Sequence, residues 1–431
     1  MNTLWRWIVM MACILALTLS AAAQTFTPSA NGLLQNVYIR HMDRTVLGED
    51  VVHYRFEVVV GPGKFDMIRL HRIVREKHPW QPVRTITGVL LCPGAPNSFE
   101  EIFMEPQISR VPDWDQSITA FLAKNNIDVW GMDYRWSLVP AATTNFNFMK
   151  NWGLKRDVDD AKIALSLARL IRGETGQGFG QLHLLGFSYG TYIAYAIGNQ
   201  ETQLPHFLRN VEGLIPVDWG IVYAAGSPMR TQLCDLIPPT QALYDAGTYS
   251  EDNSGLQQIG DLARSDPDGS SPFADGFTNY QFALFVGASV SYLPSWHFVG
   301  GVFNDSGITT GLQYTDPWLW IDVIRVVPSY FSVKADLDTD KVSCYDVVAP
   351  YDEYLGKITL PILYVGAAGG TGEYGYHALT RTASTDITKF TVQLHPDDER
   401  ALDFGHADNF TGTNAETLVW KPILDWLVAH R

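Results

Sequence analysis

The sequence has no Cys-x-x-Cys pair, no His-x-x-x-His helix and no other tight cluster of its 11 histidines. The spacings by which zinc ligands or a redox dithiol are usually read are therefore missing, and no metal and no cofactor are expected. Cysteine is scarce: Cys13, Cys92, Cys234 and Cys344. Basic residues are outnumbered, 31 Lys and Arg against 46 Asp and Glu, for a formal charge of -15. A surface so acidic repels phosphate backbones and anionic lipid, which argues against nucleic-acid binding. There is no low-complexity tract, and beyond the first twenty or so residues no uncharged apolar run approaches the ~20 residues that a spanning helix needs, so no stable membrane insertion is expected.

The first apolar run is itself too short to span. Arg6 precedes Trp7 to Leu19, and Ala21-Ala22-Ala23 offers a small-residue cleavage site. This pattern predicts a signal peptide over 1–23 and a chain exported to the periplasm or secreted. Cys13 would leave with it, so the other three cysteines cannot all pair. In an oxidising compartment Cys234 and Cys344 could close one bridge, which the sequence leaves open.

Downstream, VVHYRFEVVV (51–60) and FDMIRLHRIVR (65–75) flank Gly61-Pro62-Gly63 and predict an antiparallel hairpin. TGVLLCPG (87–94), IDVWGMDYR (127–135), QLHLLGF (181–187) and VEGLIPVD (211–218) are short, continuous apolar strands of the kind covered on both faces. Helical patterns over 113–124, 157–172 and 191–200 alternate with them, the signature of a parallel sheet flanked by helices. From 220 to 354 the alternation stops. That stretch is rich in aromatics, among them Tyr244, Phe273, Phe282, Phe285, Tyr292, Trp296, Trp318, Trp320 and Phe331, with helix-like pieces at 280–292 and 318–327. It predicts a mostly helical insertion. The alternation resumes with 360–370 and 387–394 and ends in a helix over 416–430.

One pentapeptide carries chemistry. Gly186-Phe187-Ser188-Tyr189-Gly190 lies between a buried strand and a helix. There glycines permit a sharp turn that pushes the serine into the open. A serine hydroxyl needs a base to take its proton, and Phe404-Gly405-His406-Ala407-Asp408 places a histidine after the last strand. His395, also after that strand, is the less favoured base.

These elements resemble the α/β-hydrolase superfamily, and the resemblance covers nearly the whole chain after the leader. It implies a mainly parallel eight-stranded sheet flanked by helices, a core over 24–219 and 355–431, and a cap over 220–354. It also implies Ser188 as nucleophile, His406 as base, and an oxyanion hole made by the backbone N–H groups of Tyr189 and Ala95. The loop Cys92-Pro93-Gly94-Ala95-Pro96 departs from the family's usual His-Gly in having Pro93. The acid stays open. No Asp follows the seventh strand, where Gly366-Ala367-Ala368-Gly369-Gly370-Thr371-Gly372 runs on to Glu373. Asp218, ending the sixth strand, is the first choice, Glu373 the alternative and Asp403 a third. Asp133-Tyr134-Arg135 matches a scaffold element. The implied function is ester hydrolysis of a small-molecule or lipid-like substrate through an acyl-enzyme. Amide hydrolysis of the aminopeptidase kind and a non-catalytic binding protein are the alternatives, and the oligomeric state is not readable.

Overall fold

A computed structural model describes residues 37–291, 293 and 295–431. The leader (1–23) and Tyr292 lie outside the described residues. The alternation of buried apolar runs with helices builds a single large sheet. Its strands are β1 (Tyr38–Gly48), β2 (Val51–Val59), β3 (Met67–His78), β4 (Gly88–Cys92), β5 (Asp128–Asp133), β6 (Leu182–Phe187), β7 (Val211–Val217), β8 (Ile362–Ala367) and β9 (Ile387–Val392). The spatial order is β1-β2-β3-β5-β4-β6-β7-β8-β9, and a two-residue strand, Gln81–Pro82, pairs with β3 to make ten. β1 to β3 form an antiparallel meander joined antiparallel to β5, and every pairing from β5 to β9 is parallel.

The sheet thus exceeds the eight strands expected. Besides the two-residue strand, β1 is the addition: its exposed, charge-rich sequence YIRHMDRTVLG alternates too weakly to read as a strand, but it covers the edge of β2 along its whole length. The central strands are buried at every position, as a sheet with helices on both faces requires.

Helices α1 (Phe99–Phe103), α2 (Ile118–Lys124), α3 (Leu154–Glu174) and α4 (Tyr189–Glu201) follow their strands. Two apolar layers result. One packs α3 and α4 on the sheet through Val158, Leu165, Ile193 and Ile197, and the other packs α1 and α2 on the opposite face through Phe99, Ile102, Ile118 and Leu122. Between β7 and β8 the chain leaves the sheet for five helices: α5 (Pro228–Asp245), α6 (Ser254–Ser265), α7 (Asn279–Ala288), α8 (Pro317–Val326) and α9 (Val333–Cys344). Their starts are written locally. Thr278 and Gln281 form a capping box on α7, and Asp316 accepts from the N–H groups of Trp318 and Leu319 ahead of Pro317 in α8. Cys234 of α5 and Cys344 of α9 are disulfide-bonded, with Cα atoms 5.0 Å apart, and Cys92 is free and buried. Leu319, Trp320, Val323 and Ile324 of α8 belong to the same apolar layer as α1, so this segment is packed onto the core. The chain closes with α10 (Lys421–Ala429). No helix among the described residues is long and apolar enough to cross a membrane.

The chain passes from β4 to β5 on one side and then returns to β6 on the other. In an open parallel sheet such a reversal opens a crevice at the carboxyl ends of the two strands that part there, β4 and β6.

Candidate active site

Both strands that flank this crevice end in glycine-bearing turns. Ser188 follows β6 with φ 52° and ψ -117°, a conformation that costs a non-glycine residue on the order of 1–3 kcal/mol. The turn is tight because its neighbours are crowded. A Cβ at Gly186 would stand 2.1 Å from the Gly190 oxygen, and one at Gly190 would stand 2.2 Å from the Cys92 oxygen. No side chain fits at either position. Ser188 N–H donates to the Val217 oxygen at 3.2 Å and the Ser188 oxygen accepts from Thr191 N–H at 2.9 Å, which ties the turn to β7 and to α4. Ser188 is partly exposed between buried Phe187 and Tyr189.

Tyr189 is the first residue of α4, so its N–H has no acceptor within the helix. Its ring points away, the hydroxyl donating to Asp157 Oδ2 at 2.6 Å; burial holds the Asp157 carboxyl up at about 8. The loop after β4 lies against Ser188: a Cβ at Gly94 would sit 2.9 Å from Ser188 Cβ. Tyr134 Oη donates to the Pro93 oxygen at 3.1 Å, and Asn97 N–H donates to the Gly94 oxygen at 3.0 Å. Glu101, fully buried on α1, accepts from the Asn97 side chain and from Ser98 N–H. The loop carrying Ala95 is thereby held at both ends.

His406 is 2% exposed. Its Nδ1–H donates to Asp218 Oδ2 at 2.7 Å, which leaves the lone pair on Nε2, and Nε2 has no hydrogen-bond partner among the described residues. Phe187 stacks on the ring at 4.5 Å between centroids, with Trp219, Trp296 and Phe298 within 6.3 Å. Asp408 fixes the histidine loop, accepting from Gly405 and Gly300 N–H and from the Thr315 hydroxyl. His406 N–H and Ala407 N–H donate to the oxygens of His297 and Phe298, stitching this loop to the segment between α7 and α8.

Asp218 directly follows β7 with φ 49° and is fully buried. Its Oδ1 accepts from Ala367 N–H at 2.8 Å and Gly372 N–H at 2.9 Å, and Oδ2 accepts from Thr371 N–H at 3.2 Å as well as from His406. A Cβ at Gly370 would stand 1.9 Å from Asp218 Oδ2. The glycine run after β8, which bears no acid of its own, is therefore the receptor for a carboxylate that arrives from β7. The structure brings Ser188, His406, Asp218, Tyr189 and Ala95 together. Glu373 is exposed, and Asp403 spends its carboxylate on the N–H groups of Leu394, His395 and Phe404. His395 faces Glu399 and Gln313. Arg135 pairs with Asp160, and Asp133 with Phe99 N–H and His71, so Asp133-Tyr134-Arg135 is built into the frame.

Ser188 and His406 line one chamber of about 60 Å³. Its wall includes Ile102 and Phe187 from the core and Leu256, Val286, Trp320, Val323, Ile324 and Val327 from the segment between β7 and β8. Of the aromatics singled out in the insertion, Trp320 reaches the chamber and Trp296 the His406 ring, while Phe273 and Phe282 stack on each other. Among the described residues Glu101 is the one acidic side chain in the wall, and burial pushes its carboxyl up to about 8. The sequence patterns did not point to Glu101 or to the aliphatic wall. An [ST]-x-x-[DE] signature, Ser98 to Glu101, marks the helix start and could have drawn attention to that acid.

No protein-family model and no curated protein matches the sequence. Among solved structures, the chain resembles a candidate lipase from Sulfolobus solfataricus at TM-score 0.64 and 19% identity, covering 92% of this chain and 99% of that one. A soluble variant of monoglyceride lipase from Saccharomyces cerevisiae (12% identity; 91% and 96% of the two chains) and a thermophilic esterase from Thermogutta terrifontis (12%; 87% and 98%) align at TM-scores of 0.39 and 0.41, too low to carry any argument. The sheet order and the first of these likenesses give the chain the α/β-hydrolase fold.

Proposed function

We propose that this chain, carrying the α/β-hydrolase fold, is an exported serine hydrolase that cleaves carboxylic esters through an acyl-enzyme. The observation that carries the proposal is the pairing of a strained, accessible serine with a buried imidazole in one chamber. One nitrogen of that imidazole is anchored on Asp218 and the other has no partner among the described residues. Ser188 Oγ attacks the ester carbonyl carbon while its proton passes to His406 Nε2. Asp218 holds the Nδ1–H tautomer and stabilises the imidazolium. The carbonyl oxygen, now an anion, is received by the N–H groups of Tyr189 and Ala95, aided by the positive end of α4. Collapse expels the alcohol, which takes the proton back from Nε2; water then repeats the sequence on the acyl-serine.

The wall favours esters of short, apolar acids over substrates with a free amine. The chamber is small and almost wholly apolar, and its one carboxyl, Glu101, is mostly protonated at neutral pH and so is a poor anchor for ammonium. The insertion over 220–354 serves as the cap that supplies this wall. Export is supported by the Cys234–Cys344 disulfide, a bond that persists in oxidising compartments. Parallel turnover of p-nitrophenyl esters of increasing acyl length and of aminoacyl anilides tests the reading. Turnover confined to short-chain esters is expected; rapid anilide cleavage with inert esters would overturn it.

A further inference from the structure

A second cluster of chemically capable side chains lies on the meander. His53 is on β2 and His71 on β3. The register sets His53 against Ile73 and Arg55 against His71, so the two imidazoles are diagonal neighbours on one face of the pleat. His53 Nε2 stands 2.9 Å from His71 Nδ1, with the rings 14° from parallel. On its other side His71 Nε2 lies 3.2 Å from Asp133 Oδ2. That carboxylate fixes the proton on Nε2 and turns the Nδ1 lone pair toward His53, the arrangement by which an outer carboxylate orients a metal-binding histidine. Glu100, on the first turn of α1, brings a carboxylate to the same point, and the three donor atoms lie within 4.8 Å of one another. Both histidines are buried and Glu100 is half-buried.

We propose that His53, His71 and Glu100 bind one divalent transition-metal ion of the zinc class, with water completing the shell. Two imidazole nitrogens and one carboxylate oxygen are a donor set suited to zinc. Two ligands each ~2.0–2.1 Å from a tetrahedral ion stand roughly 3.3 Å apart, so the imidazoles need only part by a few tenths of an ångström. The proton between them need not leave: His53 moves it from Nε2 to Nδ1, and both facing lone pairs become available. Glu100 is loosely held, 3.6 Å from Arg55, and Arg55 keeps Asp43 at 3.1 Å when Glu100 turns away. Arg69, the other nearby cation, is paired with Asp133 at 3.2 Å.

The site is structural, not catalytic. It pins the first turn of α1 to the β2–β3 hairpin. Glu101, the next residue, faces the chamber and holds the loop that carries Ala95.

The test uses the whole chain, stripped with chelator, incubated with zinc chloride and gel-filtered, with metal content measured by inductively coupled plasma mass spectrometry and affinity by calorimetric titration. One zinc per chain and a rise of several degrees in Tm are expected. Glu100→Gln should weaken binding at least tenfold, His53→Gln should abolish it, and His41→Gln, which removes an exposed histidine nearby, should leave it intact. Glu100 is half-exposed, so its variant keeps the test decisive even if His53→Gln folds poorly. A native chain that retains no zinc, or equal retention by the native chain and both site variants, would overturn the proposal.

Discussion

The turn from Gly186 to Gly190 after β6 and the turn from Gly366 to Gly372 after β8 are both crowded glycine runs, and they treat a side chain in opposite ways. The first squeezes its own Ser188 outward, because Gly186 and Gly190 let strand, helix and neighbouring loop close in behind it. The second has no reactive side chain and closes around one that belongs to another strand. Three of its N–H groups donate to Asp218, and Gly370 lies where any Cβ would collide with that carboxylate. Glycine in the one case exposes a serine hydroxyl; in the other it makes a carboxylate receptor from backbone alone.

If that contrast is right, replacing what each turn holds should cost most. Asp218→Asn leaves the shape but removes the charge that stabilises the imidazolium, and ester turnover should fall by on the order of 10³–10⁴ in steady-state kinetics. Glu373→Gln, in the same glycine-rich segment but exposed, should change turnover less than twofold. Equal, mild losses from the two would break the comparison. Gly370→Ala comes next: a methyl 1.9 Å from Asp218 Oδ2 must displace the carboxylate. Overpacking of this kind costs about 1–3 kcal/mol, so a Tm lower by several degrees and a kcat reduced about tenfold are expected. A Gly370→Ala chain with native kinetics would mean that the receptor does not position Asp218.

The smallest effect belongs to Glu101. Burial raises its folded-state pKa to about 8 against 4.5 for the free side chain. Over that interval the folded chain binds the extra proton, so stability falls as pH rises from 4.5 and the loss is complete above about 8. Glu101→Gln carries no such titration. Its Tm relative to the native chain should therefore rise between pH 5 and pH 9, by an amount reflecting at most a few kcal/mol. A difference in Tm that stays constant with pH would show that Glu101 is already ionised.

Much of this architecture was readable because it is local. Strands β2 to β9 and helices such as α3 and α4 appear within a few residues of where apolar runs, 3.6-residue spacing and turn residues put them, whereas the two-residue strand Gln81–Pro82 and the short strands inside the insertion left no such pattern. Ser188 could be found for the same reason, its motif and its flanking strand and helix being contiguous. His406 needed knowledge of chain order as well. The carboxylate that meets His406 was harder: Asp218 and the glycine run that receives it are about 150 residues apart, and the run reads alone as a loop that lacks an acid. β1 was missed since its exposed face alternates weakly. The His53, His71 and Glu100 cluster has no sequence signature at all, because only the register of β2 on β3 and the start of α1 bring the three together.

The most direct test is covalent. The native chain is treated with a fluorophosphonate, digested and analysed by peptide mass spectrometry alongside Ser188→Ala and His406→Ala. A single adduct on the peptide bearing Ser188, absent from Ser188→Ala and at least a hundredfold slower to form in His406→Ala, is predicted. A native Ser188 that stays unlabelled, or one that reacts equally fast without the imidazole, would contradict the account.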